Sequence, residues 1–164
     1  MSNEISDDEL ELEEYMNDED VVTLQTHNKI DTILNGEITL HEEGYVELRL
    51  TTRPEMIADD VGLIHGGFVF GAADFAAMAA VNEKNVVLVA SDCQFLSPVK
   101  FHDEVNIIAR VRHKDGRKRN VHVEGFVHDI KVFEGEFKTV VTERHILKLK
   151  LLDEEGEAAQ ESKK

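Results

Sequence analysis

Between Gly66 and Val81 the chain reads GGFVFGAADFAAMAAV, and Asp74 is the one charged residue in it. Three and four positions to either side stand Phe70, Gly71, Ala77 and Met78, all apolar. An ionised carboxylate in such surroundings is costly unless something pairs with it or uses it. Its poor hydration and raised proton affinity suit a general base or a nucleophile. The alternative is a structural Asp that bonds to a neighbouring turn. Ahead of it, His65-Gly66-Gly67 forms a glycine entry. Two glycines let a ligand approach the backbone closely, and amides at a helix N-terminus attract negative charge, so Gly66 and Gly67 can hold an oxyanion. They also fit a turn required only for packing. His65 suits either orientation of a bound group or a bond to a neighbouring strand.

These residues need a helix to position them. The segment after Gly66 is rich in Ala, includes Met78, lacks Pro and is apolar around nearly its whole circumference, which predicts a helix buried on all sides. At roughly 16 residues it falls short of the ~20 that cross a bilayer. Upstream, positions 21, 22, 24, 30, 33 and 34 are apolar, a partial helical pattern ending at Asn35-Gly36. Ile38 to Leu50 alternates around Glu42-Glu43-Gly44 and predicts a hairpin. Thr51 to Val61, with Pro54, is a connection. The second half reads as strands: Val86–Leu96, the run through Val105, Ile107, Ala109 and Val111, the return through Val121, Val123 and Val127 after an Asp115-Gly116 turn, and Phe137–Leu151. One buried helix and five or more antiparallel strands predict an α+β domain whose sheet wraps the helix.

The spaced set Asp59-x-x-Gly62-x-x-His65-Gly66-Gly67, with an acidic residue eight positions after Gly66, resembles the hot-dog fold acyl-CoA thioesterases of the PaaI-like type. Those carry Asn-x-x-Gly-x-x-His-Gly-Gly and then Asp or Glu in the central helix. The likeness runs more loosely from about Asn35 to Lys150, through Phe95-Leu96-Ser97-Pro98. It implies the hot-dog fold, a site built by paired subunits in a dimer or dimer of dimers, and hydrolysis of a small or medium acyl-CoA. Asp74 is then base or nucleophile, Gly66 and Gly67 oxyanion donors, with His65, Asp59 and Gly62 positioning substrate or water. Two positions depart from the pattern: Asp59 stands for the usual Asn, and Asp92 stands where such enzymes often place Ser or Thr. These departures keep open a second function, a non-catalytic acyl-CoA-binding sensor or regulator. Dehydratase chemistry on this fold uses a helix His, and none follows His65 there.

Other features bound the reading. Lys114, Arg117, Lys118 and Arg119 flank the Asp115-Gly116 turn and make the one basic cluster. Arg forks suit the phosphates of coenzyme A, and a solvated hairpin tip accounts for them equally simply. Net charge is −16, with ten acidic and no basic residues in Met1–Asp20, and five acidic against two basic in Leu152–Lys164. These ends read as disordered tails around a domain at 21–151, the first of them a candidate contact for a protein partner through Leu10–Met16. Nucleic acid is a poor partner for such a chain. A single cysteine, Cys93, excludes an internal disulfide and fits a reducing, cytoplasmic setting; as a nucleophile it lacks an evident base. No basic n-region with an apolar run marks a leader, and no membrane association is expected. His27, His41, His102, His113, His122, His128 and His145 show no paired ligand spacing, so no metal or other cofactor is expected.

Overall fold

The computed structural model describes residues 22–149, and the readings on the acidic ends lie outside them. A short helix α1 (Thr32–Asn35) leads into β1 (Glu37–Glu42), β2 (Tyr45–Thr51), a 3-10 turn at Pro54–Met56, the long helix α2 (Gly66–Val81), and then β3 (Val86–Phe95), β4 (Glu104–Asp115), β5 (Lys118–Val127) and β6 (Ile130–Val141). The six strands form one antiparallel sheet in the order β1-β2-β4-β5-β6-β3. Inward positions of β2, β4 and β5 (Val46, Leu48, Leu50, Val105, Ile107, Ala109, Val121 and Val123) are fully buried beside Ala72, Ala73, Ala76 and Ala77 of α2. Small alanines let the sheet close on the helix, as the α+β reading requires.

The ends of α2 have local causes. His65 takes the N-cap position in an extended conformation (φ −61, ψ 127) without a side-chain cap. Asn82 ends the helix in the left-handed region (φ 52), where Asn is tolerated, and its N–H donates to the Met78 carbonyl. The same Asn82 side chain accepts from the Gln25 N–H (2.7 Å) and donates to the Thr23 carbonyl (2.9 Å), which straps the incoming chain onto the end of the helix.

Two sequence expectations are corrected. The helical pattern over 21–34 yields helix only at Thr32–Asn35, capped by the Asp31 carboxylate and by Gly36 at φ 94; the residues before it are held by Asn82 instead. The alternation over Phe137–Leu151 is strand only to Val141. There β6 meets the first residue of β3 (Val86), opposite Val141, and the first of β5 (Lys118), opposite Val140, so a longer strand has nothing to pair with. Residues 146–149 form a helical turn, with Lys148 N–H on the His145 carbonyl at 2.9 Å.

Among the described residues β3 forms the sheet edge beyond β6 and has no ladder on its other side. Its middle, Val89 to Asp92, is exposed. Helix α2 likewise has an uncovered stripe: Gly67 is exposed and Phe70, Gly71 and Asp74 are half-buried, at spacings that fall on one helical face.

Candidate functional site

Asp74 sits in that stripe, two turns into α2. Its Oδ1 is buried and has no hydrogen-bond partner among the described residues. Burial pushes its carboxyl from the ordinary 3.8 up to about 6. The side chain opens into a cavity of about 580 Å³ shared with Gln25–Lys29, Met78, Lys84–Leu88, His145 and Ile146. A carboxylate that is half-desolvated, unpartnered and open to a cavity can take a proton from water or attack a carbonyl. Sequence reasoning missed the rest of this lining, which gathers Gln25, His27, Lys29, Lys84 and His145 from three distant segments. The Asn82 strap holds the first of these segments, the short link from α2 to β3 carries Lys84, and the turn after β6 supplies His145. His27 there adopts φ 56, a conformation uncommon for a residue with a side chain.

Gly66 and Gly67 open the helix, so their N–H groups have no intrahelical acceptor. A Cβ on Gly66 would lie 3.2 Å from the Phe95 ring, and one on Gly67 would lie 2.7 Å from His65 Nε2. The helix entry therefore abuts the far end of β3. His65 is exposed, lies edge-on to Phe68 (6.0 Å), and is held by its own N–H on the Met56 carbonyl at 2.9 Å.

Asp59 and Gly62 belong to the loop before the helix. One Asp59 oxygen accepts from the amides of Val61, Gly62 and Leu63 at 2.9, 3.0 and 3.0 Å, and these bonds hold its carboxyl below the usual range. Gly62 takes φ 98, which only glycine adopts freely. Both line a second cavity of about 820 Å³ with Leu63, Pro98, Val127 and Ile130. The turn needs only an acceptor at position 59, so Asp serves there as well as Asn.

The remaining candidates lie apart. Asp92, on exposed β3, pairs with Glu136 and faces a third hollow beside His122. In the β4–β5 hairpin, Arg117 is bound to Glu143 at 2.6 Å and is exposed. Arg119 is buried, with Nη1 on the carbonyls of Gly116 (2.6 Å) and Lys118 (3.1 Å). Lys118 is exposed. The hairpin tip and the Asp74 cavity share one end of the sheet, since Val140 pairs with Lys118 and Val141 with Val86. Burial raises the Cys93 thiol, which disfavours the thiolate.

Residues 61–134 match the family model of the thioesterase superfamily. The chain is 50% identical over 117 residues to methylthioribose-1-phosphate isomerase of Aquifex aeolicus, spanning 71% of this chain and only 26% of that protein. It is 30% identical over 83 residues to transcription factor FapR of Staphylococcus aureus, 51% of this chain and 45% of that one. It thus spans about a quarter and about half of these two relatives. A Streptococcus mutans protein solved with acetyl CoA bound is similar in fold alone (21% identity, TM-score 0.64, 72% of this chain and 97% of that one). An uncharacterized protein from Pyrococcus horikoshii shares 43% identity and a TM-score of 0.76 over 77% of this chain and 97% of its own. With that near-complete counterpart, the family model and the sheet wrapped on α2, the chain belongs to the thioesterase superfamily and has its hot-dog fold.

Proposed function

We propose that the protein binds a small or medium acyl-CoA and hydrolyses its thioester at a site shared by two copies of the chain. The observation that carries this reading is Asp74: a lone carboxylate on the buried helix that lines a cavity, with its buried Oδ1 unpartnered among the described residues.

Within one chain the parts are too far apart. Gly67 and Asp74 share a helical face but stand about 10 Å apart along the axis, whereas base and oxyanion donors must converge on one carbonyl. The open edge of β3 supplies the remedy. Antiparallel pairing of two β3 strands about Ala90–Ser91 sets Val86 of one chain opposite Phe95 of the other. Asp74 shares its cavity with Val86–Leu88, and Gly66 abuts Phe95. Such pairing carries Gly66 of the partner subunit toward Asp74 and covers the helix stripe. In the shared site Asp74 takes a proton from water as the water attacks the thioester carbon, or attacks that carbon itself to form a mixed anhydride that water then hydrolyses. The amides of Gly66 and Gly67 receive the developing oxyanion, and collapse of the tetrahedral species expels the thiolate of coenzyme A. Purified protein at micromolar concentration is expected to sediment as a dimer or tetramer; a monomer that turns over acyl-CoA overturns the shared site.

The hairpin is assigned to the nucleotide end of the ligand. Arg117→Ala with Lys118→Ala is expected to weaken acyl-CoA binding by about 1–3 kcal/mol, less at high salt, and to leave acyl-pantetheine binding unchanged. Equal losses for both ligands would mean that the hairpin acts through the fold. Arg119→Ala is expected to lower the melting temperature, because its guanidinium holds two turn carbonyls.

A sensor reading draws support from the likeness to a transcription factor over 83 residues. A screen of acyl-CoAs of varied length, with binding and hydrolysis measured in parallel, separates the two: turnover supports the hydrolase, and tight binding without turnover supports the sensor. A reducing, cytoplasmic setting goes with either reading, as does a protein partner for the acidic N-terminal segment.

A further inference from the structure

The face of the sheet turned away from α2 carries a second group of ionisable side chains. In the β5–β6 ladder His122 lies opposite Glu136, and Glu124 opposite Glu134. Residues two apart on a strand share a face, and since Val121 and Val123 point inward, these four side chains stand together outside. The His122 side chain is only 10% exposed. Its Nδ1 lies 2.5 Å from Glu136 Oε1; its Nε2 lies 3.2 Å from Glu134 Oε1 and 3.8 Å from Glu124 Oε1. The second oxygens of Glu124 and Glu134 turn to Lys131 Nζ, at 2.8 and 3.4 Å, and Arg110 stands 3.5 Å from Glu124 Oε1.

His122 Nδ1 and Glu136 Oε1 share a hydrogen bond at 2.5 Å, which engages that side of the ring. Nε2, on a side chain nine-tenths buried, faces the Oε1 atoms of Glu134 and Glu124 from the other side. Charge points the same way. Glu124, Glu134, Glu136 and the adjoining Asp92 outnumber Lys131 and Arg110, and Lys131, which bridges the second oxygens of the opposed Glu124 and Glu134, leaves an excess of negative charge around His122.

We propose that this is a binding site for a divalent transition-metal ion of the zinc class, ligated by His122 Nε2, Glu124 Oε1 and Glu134 Oε1. One ligating atom from each residue lies within 4.8 Å of the others. Bonds of roughly 2.0–2.2 Å to nitrogen and oxygen bridge such a gap after small side-chain rotations. Glu136 is a positioning residue: it holds the ring from behind, the usual arrangement around a metal-bound histidine. The hollow of about 210 Å³ over His122, Glu134 and Glu136 leaves room for water to complete the shell. The ion would staple β5 to β6 on the face opposite Asp74, independently of the acyl-CoA reading.

The test uses the full chain, stripped with a chelator and titrated with zinc chloride and manganese chloride by calorimetry, with cobalt absorption reporting the ligand set. One ion per chain is expected, bound less tightly as pH falls because the imidazole must lose its proton. Glu134→Gln and Glu136→Gln are each expected to weaken binding by about 10-fold or more, while Asp74→Asn leaves it unchanged. A Glu124→Gln, Glu134→Gln double variant that is folded by circular dichroism and binds as the wild type does would overturn the assignment. So would nitrogen NMR showing both His122 nitrogens protonated and undisturbed by saturating zinc, which would make the cluster a proton-held ion pair.

Discussion

Replacing Asp74 with asparagine is expected to lower turnover by at least about 100-fold, the lower bound for general-base work, while acyl-CoA affinity stays within a few-fold. Asparagine keeps the shape and can still hydrogen-bond, but it neither takes a proton effectively nor attacks a carbonyl. Steady-state kinetics and calorimetry on the same preparation read both quantities. With the carboxyl near 6, wild-type kcat/KM should climb with pH through about 6 and then level off. Stability provides the control. The folded state holds this proton more tightly than the unfolded chain does, about 6 against 3.8. The carboxyl's contribution to stability is therefore fully present below pH 3.8 and is lost as pH rises through about 6. The gap corresponds to no more than about 3 kcal/mol. Above pH 6 the asparagine form should melt at or above the wild-type temperature. A structural cap would behave the opposite way: the variant would unfold more easily and lose activity only with its folded fraction. Unchanged turnover in a folded variant removes Asp74 from the mechanism.

Gly66→Pro tests the donor side with as large an effect. Gly66 is the first residue of α2, where proline is tolerated and no intrahelical bond depends on the N–H. His65 already has the extended conformation that a following proline requires (φ −61, ψ 127), so the substitution deletes one amide with little change to the helix. The added ring approaches Phe95, whose nearest atom is 3.2 Å from the site of a new Cβ and must yield slightly. Loss of one oxyanion donor costs about 10²–10³ in rate. The same variant decides whether two chains share the site. Mixing refolded Asp74→Asn and Gly66→Pro chains forms heterodimers in which one of the two sites has both Asp74 and Gly66 intact, so activity should return to a sizeable fraction of wild type. Mixtures as inactive as either parent would place both groups in one chain.

Much of this was open to inspection in the residues alone. A lone carboxylate in an apolar segment stands out without any tertiary information, and the glycine entry at Gly66 marks the start of the helix because it suits that end. Alternation located five strands, because a half-buried ladder imposes it locally. It misled at Ile146–Leu149, where the pattern is present but both neighbouring strands have already begun: pairing, which no single segment encodes, decided the outcome. The basic cluster was visible as composition, yet the buried Arg119 guanidinium serves its own turn. Asp59 is a departure from the family's pattern, but the three amides it holds need no donor. Least legible were the groups assembled across distance. Lys29, Lys84 and His145 meet Asp74 through the Asn82 strap, the link from α2 to β3 and the turn after β6, and His122 meets Glu134 and Glu136 only through antiparallel register.

The unpaired edge of β3 has a consequence for the life of the chain before any ligand is met. Among the described residues, a newly folded copy presents ten residues of strand with one edge unpaired, a template for joining any extended chain nearby. Its first half, Val86–Ala90, is apolar and invites such contacts, while Ser91 and Asp92 interrupt the run with a hydroxyl and a charge. A carboxylate at the centre of an exposed edge acts as a gatekeeper against runaway stacking into fibrils. An Asp92→Val chain is accordingly expected to aggregate more readily during refolding than the wild type, as light scattering would show.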